Sequence, residues 1–276
     1  MPAIHPARLK QQAALLAEHF YDPPAYTRSL HHLFEAYAER VQRPGQAGEP
    51  PPLLATYRVR PPVIRHVLQE LSPLAQEDPQ AALALCDQLW EQSYIEFRQL
   101  AIFLLGQLPA EQAEAVLQRV RSWLRPDLED RLLNAVLQQG LSSLRRGVPQ
   151  TVIRQVEEWL QEGKGFYQKI GLRALLGMVN ETWFDNLPVF FRLLQPYVRQ
   201  TPAVLRPEIL DLLGALAHRS ARETTFFLEQ TLQIPNSPDT AWLVRQSLHE
   251  FPPAERDHLR SLVRSLHWSS KEEKKR

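Results

Sequence analysis

The chain has 276 residues, 44% of them apolar and 23% charged, with 32 Lys and Arg against 31 Asp and Glu for a formal net charge of +1. That length buries a sizeable core in one large domain or two ordinary ones, and near-neutrality excludes a global electrostatic pull toward nucleic acid while leaving room for local patches. The sole cysteine, Cys86, excludes an internal disulfide, fits a reducing cytoplasm and, at helical spacing from Leu83 and Leu89, reads as a small buried apolar residue.

Leu, Ala, Gln, Glu and Arg dominate, and runs of alternating β-branched and polar residues are nearly absent, so the composition predicts an all-α fold. Proline punctuates it, because it fits the first turn of a helix and breaks the interior. Reading between prolines predicts helices over about 6–20, 25–42, 62–76, 79–91, 94–108, 110–123, 127–145, 149–162, 166–179, 186–200, 203–218, 221–232, 238–250 and 253–267. Short joints make neighbours antiparallel. The exception, Arg43 to Pro52, is too rich in Pro and Gly to continue a helix. The expected organisation is therefore an N-terminal hairpin and loop over 1–52, a repeat domain over 53–268, and a polar, frayed tail over 269–276. The longest apolar runs, such as Leu100 to Leu105, fall far short of the roughly 18 residues that cross a bilayer, and no charged-then-apolar leader opens the chain. A cytoplasmic monomer without membrane contact is expected.

Three stretches share a pattern: Leu89-Trp90 through Phe97-Arg98, Trp159-Leu160 through Gln168-Lys169, and Leu232 through Val244-Arg245. Each ends a helix on apolar residues, crosses a short loop and sets a cation early in the next helix. With Arg131 and Arg206 the cations fall at 98, 131, 169, 206 and 245, spaced by 33, 38, 37 and 39 residues. Such a period marks an α-α superhelix of HEAT type, here of about six to seven antiparallel pairs, whose second helices line one concave face. A cation per repeat on that face reads either as a ladder of ion pairs with acids of adjoining repeats or as a row that tracks phosphates. The charge is shallowly asymmetric: residues 61–92 hold Arg65 against five acids, and 192–276 hold 13 cations against 10 acids.

Most catalytic signatures are missing: there is no Gly-rich phosphate loop, no His-Glu-x-x-His, no Cys pair for zinc and no nucleophile elbow. His31-His32 with Glu35 lacks a third ligand at usable spacing and reads as half-exposed helix surface, so neither metal nor cofactor is expected.

The landmarks Tyr57-Arg58-Val59-Arg60-Pro61-Pro62, Leu89-Trp90 with Glu96-Phe97-Arg98, Ser122-Trp123 with Asp127, and Trp159 with Phe166-Tyr167-Gln168-Lys169 resemble, in order and interval over residues 53 to 260, the DNA alkylation repair glycosylases of the AlkD type. The resemblance implies a HEAT-like solenoid that grips duplex DNA in a concave groove and excises cationic alkylpurines without drawing the base into a pocket. It casts Trp123 and Asp127 as the aromatic face and the carboxylate beside the lesion. Lys169 becomes the cation that secures the flanking phosphate, with Arg98, Arg131, Tyr167, Arg206 and Arg245 on DNA. Where the family carries Trp-x-x-Arg, however, this chain reads Tyr167-Gln168-Lys169-Ile170, so Ile170 occupies the Arg position unless Lys169 substitutes. Residues alone give Trp123 and Asp127 a plainer part, the buried end of one helix and a first-turn acid of the next behind Pro126. The expected function is duplex DNA binding with weak or lost glycosylase activity; the alternative is a non-catalytic scaffold that holds a protein in the same concavity.

Overall fold

The computed structural model describes residues 5–39, 54–235 and 237–273, with side chains of the last helix through Ser265. The chain divides into two compact units, Met1–Val152 and Ile153–Arg276. The first contains α1 (Pro6–Ala17), α2 (Pro23–Tyr37), α3 (Pro61–Glu77), α4 (Pro79–Trp90), α5 (Ile95–Leu105), α6 (Ala113–Trp123), α7 (Asp130–Ala135) and α8 (Ser142–Gly147). The second opens inside α9 (Pro149–Gln161) and continues with α10 (Gly165–Val179), α11 (Leu187–Arg199), α12 (Arg206–Arg219), α13 (Ala221–Gln233), α14 (Thr240–Ser247) and α15 (Pro253–Glu273). Among the described residues there is no sheet, only an isolated parallel bridge between Ala55 and Tyr94. Nor is any single helix long and apolar enough to cross a membrane.

Proline opens helices as expected: Pro6, Pro23, Pro61, Pro79, Pro149 and Pro253 each stand first, where a missing N–H costs no hydrogen bond. Asp22 and Asp78 cap the helices that follow them, accepting from the Ala25 and Ala81 amides at 3.0 Å, each worth about 1 kcal/mol. Within the first unit α1 packs on α3, α2 on α4 and α3 on α5; within the second α10 packs on α12, α11 on α13, α12 on α14 and α13 on α15. Contact with every second helix, added to contact within each hairpin, is what stacked antiparallel pairs produce. The helices at the centre of the stacks are apolar nearly all round. Leu100, Ala101, Ile102, Leu104 and Leu105 of α5 are buried together, as are Ile170, Leu172, Leu175 and Met178 of α10. Cys86 of α4 is fully buried, its Sγ 3.5 Å from the Ala101 carbonyl oxygen of α5.

Side chains tie each pair to the next at the period read from the sequence. Arg119 grips Asp87, 32 residues away, through Nε to Oδ1 at 2.8 Å and Nη2 to Oδ2 at 2.6 Å. Arg173 donates to Glu208 across 35 residues, the Tyr197 hydroxyl to the Leu160 carbonyl across 37, and the Thr201 amide to Asp239 across 38.

The continuous helix expected over 127–145 is not there. Pro126 holds Arg125 out of the helical region, the Leu128 amide closes a turn on the Arg125 carbonyl at 3.0 Å, and helix begins only at Asp130. After six residues it gives way to a π-helical turn, Val136–Gly140, before α8. The π turn fits against the end of α5 because residue 106 is Gly: a Cβ there would lie 2.0 Å from the Gln139 carbonyl oxygen. Buried Arg145 reaches back to it, donating Nη1 to the Leu137 carbonyl at 2.9 Å and Nη2 to that of Gln138 at 2.7 Å. The loop expected over 43–52 lies outside the described residues. At the other end α15 runs to Glu273, into the segment read as a tail.

Candidate nucleic-acid interface

In the first unit α4 ends on Trp90 and α6 on Trp123, which brings the two indoles into a parallel stack, 4.2 Å between centroids and 7° between planes. Arg98, in the first turn of α5, lays its guanidinium over Trp90 at 5.0 Å, and its Nε donates to the Gln92 carbonyl at 3.3 Å. Such contacts stabilise by about 0.5–1.5 kcal/mol for the ring pair and about 0.5–1 kcal/mol for the cation. Burial lowers the pKa of the Arg98 guanidinium, and Arg125 lowers it further, while Asp127 and Glu129 act in the opposite sense. One neighbourhood thus holds two indoles, two guanidinia and two carboxylates.

Trp123 is only 5% exposed and one of its faces is taken by Trp90, so the plainer reading of it as a buried helix end holds for this geometry. Asp127 is not a first-turn helical acid. It stands in the Arg125–Leu128 turn, largely exposed, with Arg125 Nε 3.6 Å from its Oδ1. Arg131 follows on α7 and is exposed.

A second aromatic group borders the first through the loop between α4 and α5. Tyr57 and Tyr94 stack at 4.6 Å and 13°, and His31 Nδ1 lies 2.7 Å from the Tyr57 hydroxyl. Burial, then the hydrogen bond and charge of Tyr94, then Glu35 and Glu96, push the Tyr57 phenol above its usual range. His31 is therefore committed to packing, its ring 4.4 Å from that of Phe97, while His32 is exposed with Glu35 3.9 Å away. Among the described residues no His, Cys, Asp and Glu cluster has the makings of a metal site.

In the second unit Tyr167 leans edge-on against Phe166, and the Lys164 ammonium lies 5.9 Å from its ring. Lys169 Nζ is 4.0 Å from Glu208 Oε1, the oxygen that Arg173 also binds at 3.0 Å. Ile170 is fully buried in the core. Arg206, at the start of α12, lays its guanidinium over Trp242 at 4.6 Å, and Arg245 is exposed on α14.

The family model described as DNA alkylation repair enzyme matches residues 38–251, most of the chain. The chain belongs to that family. No curated protein and no solved structure matches it at a comparable level. Membership assigns this DNA alkylation repair family member a role connected with DNA repair, and the structure adds side chains that the sequence did not mark as site residues. Trp90 and Trp242 are the ring faces that Arg98 and Arg206 occupy, and Arg125 is the cation next to Asp127. Both Trp residues sat inside the repeat pattern, one at a helix end and one at a helix start. What was not legible was that a cation from the neighbouring helix would cover them.

Proposed function

We propose that this family member binds duplex DNA weakly and without sequence preference, and releases alkylated bases slowly or not at all. The observation that carries the reading is the first unit's cluster: Arg98 and Arg125 beside stacked Trp90 and Trp123, with Asp127 in the turn that follows. Guanidinia beside aromatic faces suit a phosphate backbone and its sugars. The same cluster argues against efficient excision. A carboxylate that stabilises a cationic sugar gains most in a dry site, whereas the Asp127 side chain is 76% exposed and already faces Arg125.

The position of the phosphate-securing cation moves with burial. An Arg at Ile170 would bury an unpaired charge in the core of α10, at prohibitive cost. Lys169 is partly exposed, its ammonium 4.0 Å from the buried Glu208 carboxylate, and Phe166 three residues earlier restores the aromatic-x-x-cation spacing. We therefore assign that role to Lys169, a weaker clamp than Arg because it is a point charge without a planar fork.

The test is release of N3-methyladenine from methylated duplex DNA together with a salt series of binding. Binding should weaken steeply with salt while excision stays near background; Lys169→Arg should raise any trace excision, and Asp127→Asn should abolish it. Robust excision by the unaltered protein that survives Asp127→Asn would show the site to be elsewhere. Salt-insensitive or absent DNA binding would favour the protein-scaffold alternative.

A further inference from the structure

We infer that Arg58 is a phosphate-contacting residue of this DNA-binding surface, and that the buried carboxylate of Glu96, two residues before Arg98 on α5, holds the Arg58 backbone in a left-handed conformation that leaves its side chain exposed. The inference rests on the proposed DNA binding and adds to it a residue and the device that positions it.

Arg58 is the one non-glycine residue with positive φ among the described residues, at +54°. That region suits Gly, Asn or Asp and is disfavoured for a long side chain. The strain is held by a built anchor. Glu96, 4% exposed in the first turn of α5, accepts the Arg58 amide at 2.8 Å and the Thr56 hydroxyl at 2.6 Å on the same oxygen, Oε1. The Thr56 hydroxyl oxygen in turn lies 3.0 Å from the Arg58 amide. Ala55 fastens the segment to the next turn, its amide donating to the Ser93 carbonyl and its carbonyl accepting from Ile95, both at 3.0 Å.

The arrangement runs against what stability alone would select. Glu96 Oε2 is buried without a hydrogen-bond partner, and a guanidinium is its natural mate. Yet the carboxylate takes the main chain of Arg58, while the Arg58 side chain is exposed and has no ion pair among the described residues. Arg60, two residues on, by contrast lies 2.6 Å from Glu39. Strain kept in place by a buried network, around an exposed cation, is the pattern of a functional position. Its surroundings say which ligand. The turn to which Ala55 is bonded runs into Gln92, whose carbonyl receives Arg98, and Arg98 lies within electrostatic range of Arg125. Arg58 is thus carried by a segment fastened to the turn and helix that hold Arg98, next to the stacked Tyr57 and Tyr94, and its planar charged donors suit the phosphodiester backbone of DNA.

The experiment separates strain from charge. Arg58→Gly and Arg58→Asn both tolerate the conformation and remove the charge, and Arg58→Lys keeps the charge. For each full-length variant, thermal denaturation and binding of a fluorescein-labelled duplex are measured across a salt series. Gly and Asn should leave the melting temperature equal or higher while weakening binding severalfold at low salt. They should also lower the slope of log K against log salt by about 0.9, one phosphate's share. Lys should keep the slope. Salt-dependent binding by the unaltered protein that is untouched in Arg58→Gly and Arg58→Asn would overturn this inference and leave the proposed function standing. A lower melting temperature in both would overturn the positioning by strain, and no salt-dependent binding by the unaltered protein would remove both readings.

Discussion

Replacing Arg145 with Met tests whether the break in the helix after α7 is held by that one side chain. Arg145 is 6% exposed and donates to the Leu137 and Gln138 carbonyls of the π turn at 2.9 and 2.7 Å. Each bond from a charged donor is worth about 1.5–3 kcal/mol, and carbonyls left buried without it add to the loss. Met keeps the apolar stem of the side chain, and the desolvation of a buried guanidinium is recovered, which offsets part of the cost. The balance is a destabilisation of about 2–4 kcal/mol. With a urea slope of about 2 kcal/mol per molar, the midpoint should fall by roughly 1–2 M. Trp90 and Trp123 lie in the same unit as Arg145, so their fluorescence in a urea titration reports the transition that should move. Arg145→Lys should lose about half as much, since a single ammonium cannot fork to both carbonyls in the same geometry. An unchanged midpoint in Arg145→Met would show that the π turn is fixed by packing on α5 alone.

Close contacts and charge decide three further variants. Gly106→Ala should destabilise by at least about 1–3 kcal/mol, because the new Cβ meets a main-chain oxygen that no rotamer can move. Gly165→Ala, where the nearest atom is Val204 at 3.9 Å, should be neutral or gain up to about 1 kcal/mol, and parallel thermal melts decide between them. Asp211, although exposed, has its pKa raised, first by partial loss of water and then by Glu208 and Glu250, with Arg173 opposing, so its effect on stability is small and screened by solvent. The folded state therefore holds that proton more tightly than the unfolded state, and stability declines as pH rises from the ordinary carboxylate range through the raised value. Asp211→Asn should raise the melting temperature near neutral pH and lose that advantage on acidification; a gain that is constant with pH would refute the assignment.

The helices were legible because their signals are local. Proline at the first turn and an apolar stripe read true for most boundaries, and the repeat period reappears as the separations of the Arg119–Asp87 and Arg173–Glu208 pairs. The interruption of the helix expected over 127–145 was not legible, since the π turn depends on Gly106, just past the end of α5, and on Arg145 in α8, contacts that sequence spacing does not reveal. The burial of Ile170 likewise decides which of two adjacent residues carries the charge, and a one-residue step rotates a helix position by about 100°. Arg58 escaped notice because a left-handed residue that is not Gly leaves no mark on the sequence.

Equal spacing of cations proves to be a statement about repeats, and their neighbours decide what each one does. Lys169 shares Glu208 with Arg173, the ladder arrangement, while Arg131 and Arg245 stand exposed. Arg98 and Arg206 do something that neither reading of the row foresaw: they rest on the faces of Trp90 and Trp242. Stacking engages the face of a guanidinium and leaves the N–H donors of its edge in plane, so an arginine held this way has surrendered its rotamer freedom before any ligand arrives. Under the proposed function that distinguishes two kinds of cation within one row. Stacked arginines bind a phosphate with less entropy to lose, and exposed ones contribute chiefly to the salt-dependent attraction. Trp242→Ala should therefore weaken DNA binding although it removes no charge, and should leave the salt slope as it was; a changed slope would mean that the ring serves the fold of the second unit and not the poise of Arg206.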